Sequence, residues 1–327
     1  MSAEPAGTLR GHCGDTAPME SDSHPDWMSR LPGPLLQAPL WDLAIPGSHD
    51  SMSFCLDMSS PVLRSEAALL HLLDCFFPCC TRPCIKRWST TQRSVLIVQC
   101  ELGIRFLDLR IAKKPTRDTT LFFAHGVYTL ISVKEALEEL CVWLEDHPRE
   151  VLILSCSHFE SMTEDDHQDL VNFILTLFGP KLCPPQECPS LSSCWLRGQQ
   201  VIVSYDKDQM LKEHPQLWTS IPYWYANSPD PRKVIQYLDN RLSEGRPEKF
   251  FVSGLNLTED LAYILRHPLL NLQRLTLRGL PLLLRWTNQQ RPGAQRAGVN
   301  ILCSDFIGLS QFCSIIIGLN YKVLHST

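Results

Sequence analysis

Along the chain, short runs of consecutive apolar residues alternate with longer stretches in which apolar residues return every three or four positions. The runs fall at residues 41–45, 104–109, 121–124, 151–154, 201–205, 250–253 and 299–303. They do not alternate apolar with polar, as a strand with one wet face would. Unbroken runs of this length suit strands covered on both faces, as in parallel sheets. Between them lie amphipathic helices. Over 132–147, Ser132 and Glu135 have capping-box spacing, and Val133, Ala136, Leu137, Leu140, Cys141 and Leu144 share one face. His147-Pro148 closes it. Over 163–178, Thr163 is the N-cap, Leu170, Val171, Ile174 and Leu177 form the stripe, and Gly179-Pro180 ends it. A third helix is predicted over 258–267, from Thr258 to the residue before Pro268. Seven or eight strand–helix units predict an α/β fold, a single (β/α) barrel with parallel strands. An open doubly wound sheet is the alternative, but the only glycine after the first strand is Gly47, so no glycine-rich phosphate loop is present.

A barrel puts its chemistry at the C-terminal ends of its strands. Reading off those positions gives His49 and Asp50 after 41–45, Asp108 and Arg110 at the end of 104–109, His125 after 121–124, and Ser304-Asp305 after 299–303. In a barrel the first three strands and the last are neighbours around the closure, so these groups can converge. Two imidazoles that titrate near neutrality can trade a proton. A carboxylate behind an imidazole fixes its tautomer, and a guanidinium grips two phosphate oxygens. The set suits phosphoryl chemistry on a diester. Each residue alone has a plainer role. Asp108 could be a buried partner of Arg110, and Asp305 could cap its loop. His147, His214 and His267 each precede proline at helix ends and read as structural.

Composition narrows the field. The 327 residues are 44% hydrophobic, ample for one large core, and 30 Lys and Arg against 35 Asp and Glu leave no basic surplus, which argues against nucleic acid as a partner. The first 25 residues mix acids, Gly, Pro and Ser without a signal peptide's basic start and apolar run, and no stretch is long enough to span a bilayer. The expectation is a cytoplasmic protein with a flexible segment over 1–26 and one barrel over 27–327. Of the 14 cysteines, Cys100, Cys141, Cys156 and Cys303 sit in apolar runs and read as reduced core residues. The spacing of Cys75, Cys79, Cys80 and Cys84 is unlike a zinc motif.

Four segments carry a family resemblance: Trp41-Asp42-Leu43-Ala44-Ile45-Pro46-Gly47-Ser48-His49-Asp50-Ser51-Met52, Gly103-Ile104-Arg105-Phe106-Leu107-Asp108-Leu109-Arg110, Phe123-Ala124-His125-Gly126, and His147-Pro148-Arg149-Glu150-Val151-Leu152-Ile153-Leu154. Together they resemble the phosphatidylinositol-specific phospholipase C X domain, with the X-region motifs spread over about 35–207. The resemblance implies a distorted (β/α) barrel of TIM type and cleavage of a phosphoinositide lipid to diacylglycerol and an inositol cyclic phosphate, which water then opens. It makes His49 the general base on the inositol 2-hydroxyl and His125, assisted by Asp50, the acid on the leaving oxygen. Arg110 would hold the phosphate, Asp305 would orient His49, and Asp108 would support the network. Substrate contacts are expected from Asp108, Ser157, His158 and Tyr205. Calcium-dependent eukaryotic enzymes of this type use an amide beside the first histidine and carboxylates on later strands. Here Asp50 follows His49, Arg110 takes a metal-carboxylate position, and Ser157 stands where the last carboxylate would be. The chain thus resembles the metal-free branch, and no metal or cofactor is expected.

The diester lies at a bilayer surface, so transient membrane contact is expected. Leu69–Cys84 carries Leu69, Leu70, Leu72, Leu73, Phe76 and Phe77, with Arg82, Lys86 and Arg87 following. It is either an interfacial tip or a helix packed on the barrel. Cys79 and Cys80 in it are candidates for acylation. Two rival functions are a glycerophosphodiester phosphodiesterase, which needs metal carboxylates, and a catalytically idle inositol-lipid or inositol-phosphate binding protein.

Overall fold

Every apolar run becomes a strand, most of them displaced a few residues toward the C-terminus. The computed structural model describes residues 23–116, 118–186, 188–267 and 270–325. Its strands are β1 (Ile45–Ser48), β2 (Phe106–Lys113), β3 (Leu121–His125), β4 (Val127–Ser132), β5 (Leu152–Glu160), β6 (Val201–Tyr205), β7 (Tyr223–Trp224), β8 (Val252–Gly254) and β9 (Ile301–Ser304). The start of the 41–45 run packs instead as a tight turn, Leu40–Asp42. β4 and β7 have no counterpart among the apolar runs, the one being polar at its centre and the other two residues long.

Seven strands run parallel in the order β6-β5-β2-β1-β9-β8-β7, and the sheet curls as a distorted (β/α) barrel. Among the described residues no ladder joins β6 to β7. That side is spanned by the stretch around Trp218, which makes a single bridge with Ser204 of β6. β3 departs from the expected parallel order. It runs antiparallel to the outer end of β2 (Ile111 opposite Phe123) and forms a hairpin with β4. The cause is the length of β2. β1 leaves β2 at Ser48–Leu107, and β3 takes over the vacated edge. His125 therefore arrives at the mouth on a hairpin tip. Gly126, with φ of 72°, makes that tip, and a Cβ there would come within 2.8 Å of the Ser89 hydroxyl.

The helices over Val133–Asp146 and Glu164–Phe178 form as their patterns predict, each with a complete capping box. The third helix is shorter than expected, Leu261–Arg266, because Asp260 and not Thr258 caps it. His147, His214 and His267 are C-caps. The expected flexible segment 1–26 lies outside the described residues up to residue 22. Residues 23–26 touch the barrel: the His24 amide bonds the Glu101 carbonyl, and Asp26 pairs with His147 at 2.8 Å.

At the end of the barrel where β2 and β5 begin, Arg105 and Glu150 form an ion pair (2.8 Å) that is wholly out of solvent. Arg105 also donates to the carbonyls of Cys100 and Ile104, and Glu150 accepts the amides of Met28 and Ser29. Burial raises the pKa of Glu150, against the opposing pull of Arg105. Breaking a buried pair by deleting one partner strands the other charge, at a cost of about 3–5 kcal/mol. Glu150→Ala should therefore lower the urea midpoint by that order of stability. An unchanged midpoint would show that the pair carries no structural load.

Candidate active site

Strand period explains why the polar groups meet. On β2, Asp108 and Arg110 are two apart and share one face, while Leu107 and Leu109 face the other way into the core. β5 runs beside β2 with Ser155 level with Asp108 and Ser157 level with Arg110. β1 and β9 end level at Ser48 and Ser304, so His49 and Asp305 emerge side by side. These groups line one cavity of about 480 Å³ with His125 and His158.

His49 is held at both ring nitrogens. Nδ1 lies 2.7 Å from the Asp305 carboxylate, and Arg110 Nη2 donates to Nε2 at 2.8 Å. That pattern describes a neutral ring with its proton on Nδ1 and a lone pair on Nε2. Burial disfavours the charged ring, but Asp305 outweighs it, and the pKa is raised. Protonation of Nε2 requires Arg110 to turn away, so the guanidinium and a proton compete for one lone pair.

Arg110 is set among carboxylates, 3.4 Å from Asp108 and 3.9 Å from Asp50. They raise its pKa further despite burial. Asp108 is itself buried, yet Arg110 and the Asp50 amide (3.0 Å) hold its pKa below the ordinary value. Asp50 takes a left-handed φ of 42°, a conformation that Asp tolerates better than most residues. Its Oδ2, buried and without a hydrogen-bond partner, lies 3.2 Å from His125 Nδ1. The hydrogen bond from Nδ1 goes to the Ser89 carbonyl at 2.7 Å, with the carboxylate alongside. The other ring nitrogen of His125 is thereby left for the cavity. The two imidazole centroids are 6.3 Å apart.

The expected substrate contacts divide. Ser157 and His158 line the cavity and pair with each other at 2.8 Å. Burial, with Arg110 nearby, lowers the pKa of His158. Tyr205 is a correction: it does not line the cavity. Its ring packs on Phe159 and its hydroxyl meets His167 Nδ1 at 2.8 Å, because its position on β6 faces the helix layer. Asp206, one residue on, lines the cavity instead.

Several site residues escape the sequence analysis. Gln92 donates to both the His49 and Ser304 carbonyls at 3.0 Å, and Thr91 donates to the carbonyls of His49 and Asp50. The two residues lock the His49 turn onto the end of β9. Tyr223 stands 6.2 Å from His49, its hydroxyl on Asn256. Gly254 makes room for it, since a Cβ there would lie 2.5 Å from the Tyr223 ring. Glu259 lines the same wall, its pKa pushed up to about 7 by burial. These residues sit in irregular loops or on a two-residue strand, where no periodicity marks them. Among the described residues, no group of three or more His, Cys, Asp or Glu is arranged to hold a metal ion.

No protein-family model matches the chain. It is 49% identical over 304 residues to the PI-PLC X domain-containing protein 1 of Danio rerio, covering 92% of this chain and 98% of the relative. It is 46% identical to the human protein of the same name, over 93% of this chain and 94% of that one. The phosphatidylinositol-specific phospholipase C of Listeria monocytogenes superposes with a TM-score of 0.63 over 91% of this chain and 99% of its own, at 18% identity. At that identity the likeness speaks for the fold alone.

In Asp305→Asn, burial and Arg110 still act on His49 while its main counter-charge is gone. The pKa should fall from above the ordinary histidine value of about 6.5 to below it. The sign of the linkage follows. In the wild type the contribution of His49 to stability is full below the unfolded-state pKa and fades as pH rises through the folded one. In the variant stability is instead lost as pH falls. Titration of the His49 ring by NMR checks this, and an unmoved pKa would remove Asp305 from its role.

Proposed function

The chain belongs to the PI-PLC X domain-containing protein family, and on that premise we propose that it is a phosphoric diester hydrolase of phospholipase C type, acting on phosphatidylinositol-like lipids without a metal ion. The observation that carries this reading is His49 held between Asp305 and Arg110 across one cavity from His125. A phosphodiester entering the cavity offers Arg110 two anionic oxygens, a better match for its fork than one imidazole nitrogen. As Arg110 turns to them, the Nε2 lone pair of His49 is released to take the proton of the inositol 2-hydroxyl. That oxygen attacks phosphorus. Asp305 supports the imidazolium that forms, in the way a triad carboxylate does. His125, with Nδ1 satisfied by Ser89 and Asp50 beside it, gives a proton to the departing diacylglycerol oxygen. Arg110 balances the charge that gathers on the phosphoryl oxygens. The roles reverse when water opens the cyclic phosphate. Asp108, Ser155, Ser157 and His158 are the proposed contacts to the ring hydroxyls, with Asp206 in place of Tyr205.

Metal independence follows from charge. A guanidinium fixed between Asp50 and Asp108 supplies the positive charge a divalent cation would bring and repels one that approaches. The same arrangement speaks against a metal-dependent glycerophosphodiester phosphodiesterase.

Contact with the bilayer is the second part of the proposal. The helices Ala68–Phe76 and Pro78–Ser89 form a projecting pair in which Leu72, Phe76 and Phe77 are 55%, 67% and 59% exposed. The first of them buries no residue fully; its Leu70 packs partly on the small cluster of Leu56, Val62, Ile85 and Val127, and the rest of its apolar face stays exposed. The pair is braced, because Asp74 accepts from both Nε and Nη2 of Arg82. The second helix then runs down to the cavity, where Trp88 lines the wall and Ser89 holds His125. No helix among the described residues is long and apolar enough to cross a membrane. The fitting use of this tip is to dip into the headgroup layer.

Purified protein with phosphatidylinositol micelles in EDTA should give a cyclic inositol phosphate, read by phosphorus NMR. His49→Ala and His125→Ala should each lower turnover by ~10² or more with folding intact. Complete loss on chelation, or near-normal turnover in either variant, would refute the mechanism. The paired change Phe76→Ser and Phe77→Ser should weaken vesicle binding and lipid cleavage while sparing a water-soluble inositol phosphodiester. Equal loss on both substrates would place these rings in the fold and not at the membrane.

A further inference from the structure

The tip formed by Ala68–Phe76 and Pro78–Ser89 carries more than apolar side chains. Of the thirteen free cysteines among the described residues, four are exposed, and three of those, Cys75, Cys79 and Cys80, lie within six positions of one another on this tip. They flank Phe76 and Phe77, the two most exposed aromatic side chains there. Cysteine is among the residue types most often buried, and in the β-strands of this barrel it is: Cys156 and Cys303 are out of solvent. A cluster of accessible thiols amid Leu69, Leu72, Leu73, Phe76 and Phe77 reverses that habit at the surface already proposed to meet lipid.

We propose that Cys79 and Cys80, with Cys75 as an additional acceptor, are sites of S-acylation by a long-chain fatty acyl group. The inference rests on the membrane contact of the proposed function and extends it from transient to anchored. The chemistry needs a thiol that reaches a bilayer surface, where long-chain acyl thioesters and the acyltransferases that use them reside. The cysteine sulfur attacks the carbonyl carbon of an acyl-coenzyme A thioester. The bond from that carbon to the coenzyme sulfur breaks as the new one forms, and the coenzyme leaves as a thiol carrying the proton that cysteine lost. No oxidant or reductant is involved.

Two features make the site suited to this and not to the other uses of clustered thiols. The Sγ atoms of Cys79 and Cys80 are 3.9 Å apart on adjacent residues of one helix, and no metal-binding group includes them among the described residues. One acyl chain alone holds a protein only weakly and reversibly, and stable anchoring takes a second signal. Here the second signal is built in, either as a second chain on the neighbouring cysteine or as the exposed Leu and Phe side chains. Lys86 and Arg87, exposed on the next turns, can face anionic headgroups. The Pro78–Ser89 helix is 12 residues long, about 18 Å at the usual rise, so acyl chains at its start would hold the cavity at its end within reach of the headgroup layer.

The test uses the full chain expressed in a eukaryotic cell line and fed an alkyne-tagged palmitate. Label should attach to the wild type, be released by neutral hydroxylamine, and fall to background in Cys75→Ser/Cys79→Ser/Cys80→Ser. The triple variant should also shift from the membrane fraction to the supernatant while turning over a water-soluble inositol phosphodiester at the wild-type rate, which certifies its fold. Absence of label on the wild type, label that survives the triple substitution, or thiols masked by a bond that a reductant and not hydroxylamine releases would each overturn the inference. The label is read whether or not lipid is cleaved. Acylated but inactive protein would sink the proposed function alone, and active but unlabelled protein would sink this inference alone.

Discussion

One imidazole bound at both nitrogens organises the mouth of this barrel. His49 joins Asp305 on one side and Arg110 on the other; His49 and Asp305 follow the ends of β1 and β9, and Arg110 stands on the stretch of β2 that runs on beyond β1. The parallel register of those strands, with Ser48 level with both Ser304 and Leu107, makes the contacts possible without long side-chain reach. Behind the ring, Gln92 and Thr91 hold the carbonyls of the same turn. The backbone is thus fixed by neutral hydrogen bonds and the side chain by charge. The proposed chemistry needs both, because a base that can rotate cannot choose which proton to take.

The charges are balanced locally. Arg110 has three carboxylates within its neighbourhood, Asp50, Asp108 and, through His49, Asp305. The anionic substrate proposed for this site would therefore enter a region already rich in negative charge, with one guanidinium as its principal attraction. In the proposed mechanism, binding depends on Arg110 exchanging one set of partners for another, which couples arrival of a phosphate to release of the His49 lone pair.

Seven of the nine described strands, all but β4 and β7, were legible in the sequence because burial leaves unbroken apolar runs, and the helices over 133–146 and 164–178 because a capping box and a 3.6-residue stripe leave two independent marks. His49, Asp50, Asp108, Arg110, His125 and Asp305 were legible as residues at or just past the ends of such runs, and the structure brings five of them to one cavity, with buried Asp50 behind His125. The route of His125 was not legible. An apolar run states that a strand is buried, not which way it runs, and the antiparallel hairpin is decided by the overhang of β2 beyond β1. Tyr205 was misplaced for a related reason: a fully buried strand hides which of its faces points inward. Gln92, Tyr223 and Glu259 act from irregular segments, where spacing carries no information about direction.

The side of the ring between β6 and β7 has a mechanical consequence. Where strands are paired, the girth of a barrel is set by backbone hydrogen bonds and resists stretching. Between these two strands the ring is spanned by a loop whose residues Ser220, Ile221 and Pro222 line the cavity. The joint is held by two backbone bonds between Trp218 and β6, from the Tyr205 amide to the Trp218 carbonyl and from the Trp218 amide to the Val203 carbonyl, and by the peptide chain that runs on into β7. Fewer hydrogen bonds oppose widening of the circumference there than between the strands bearing His49, Arg110 and Asp305.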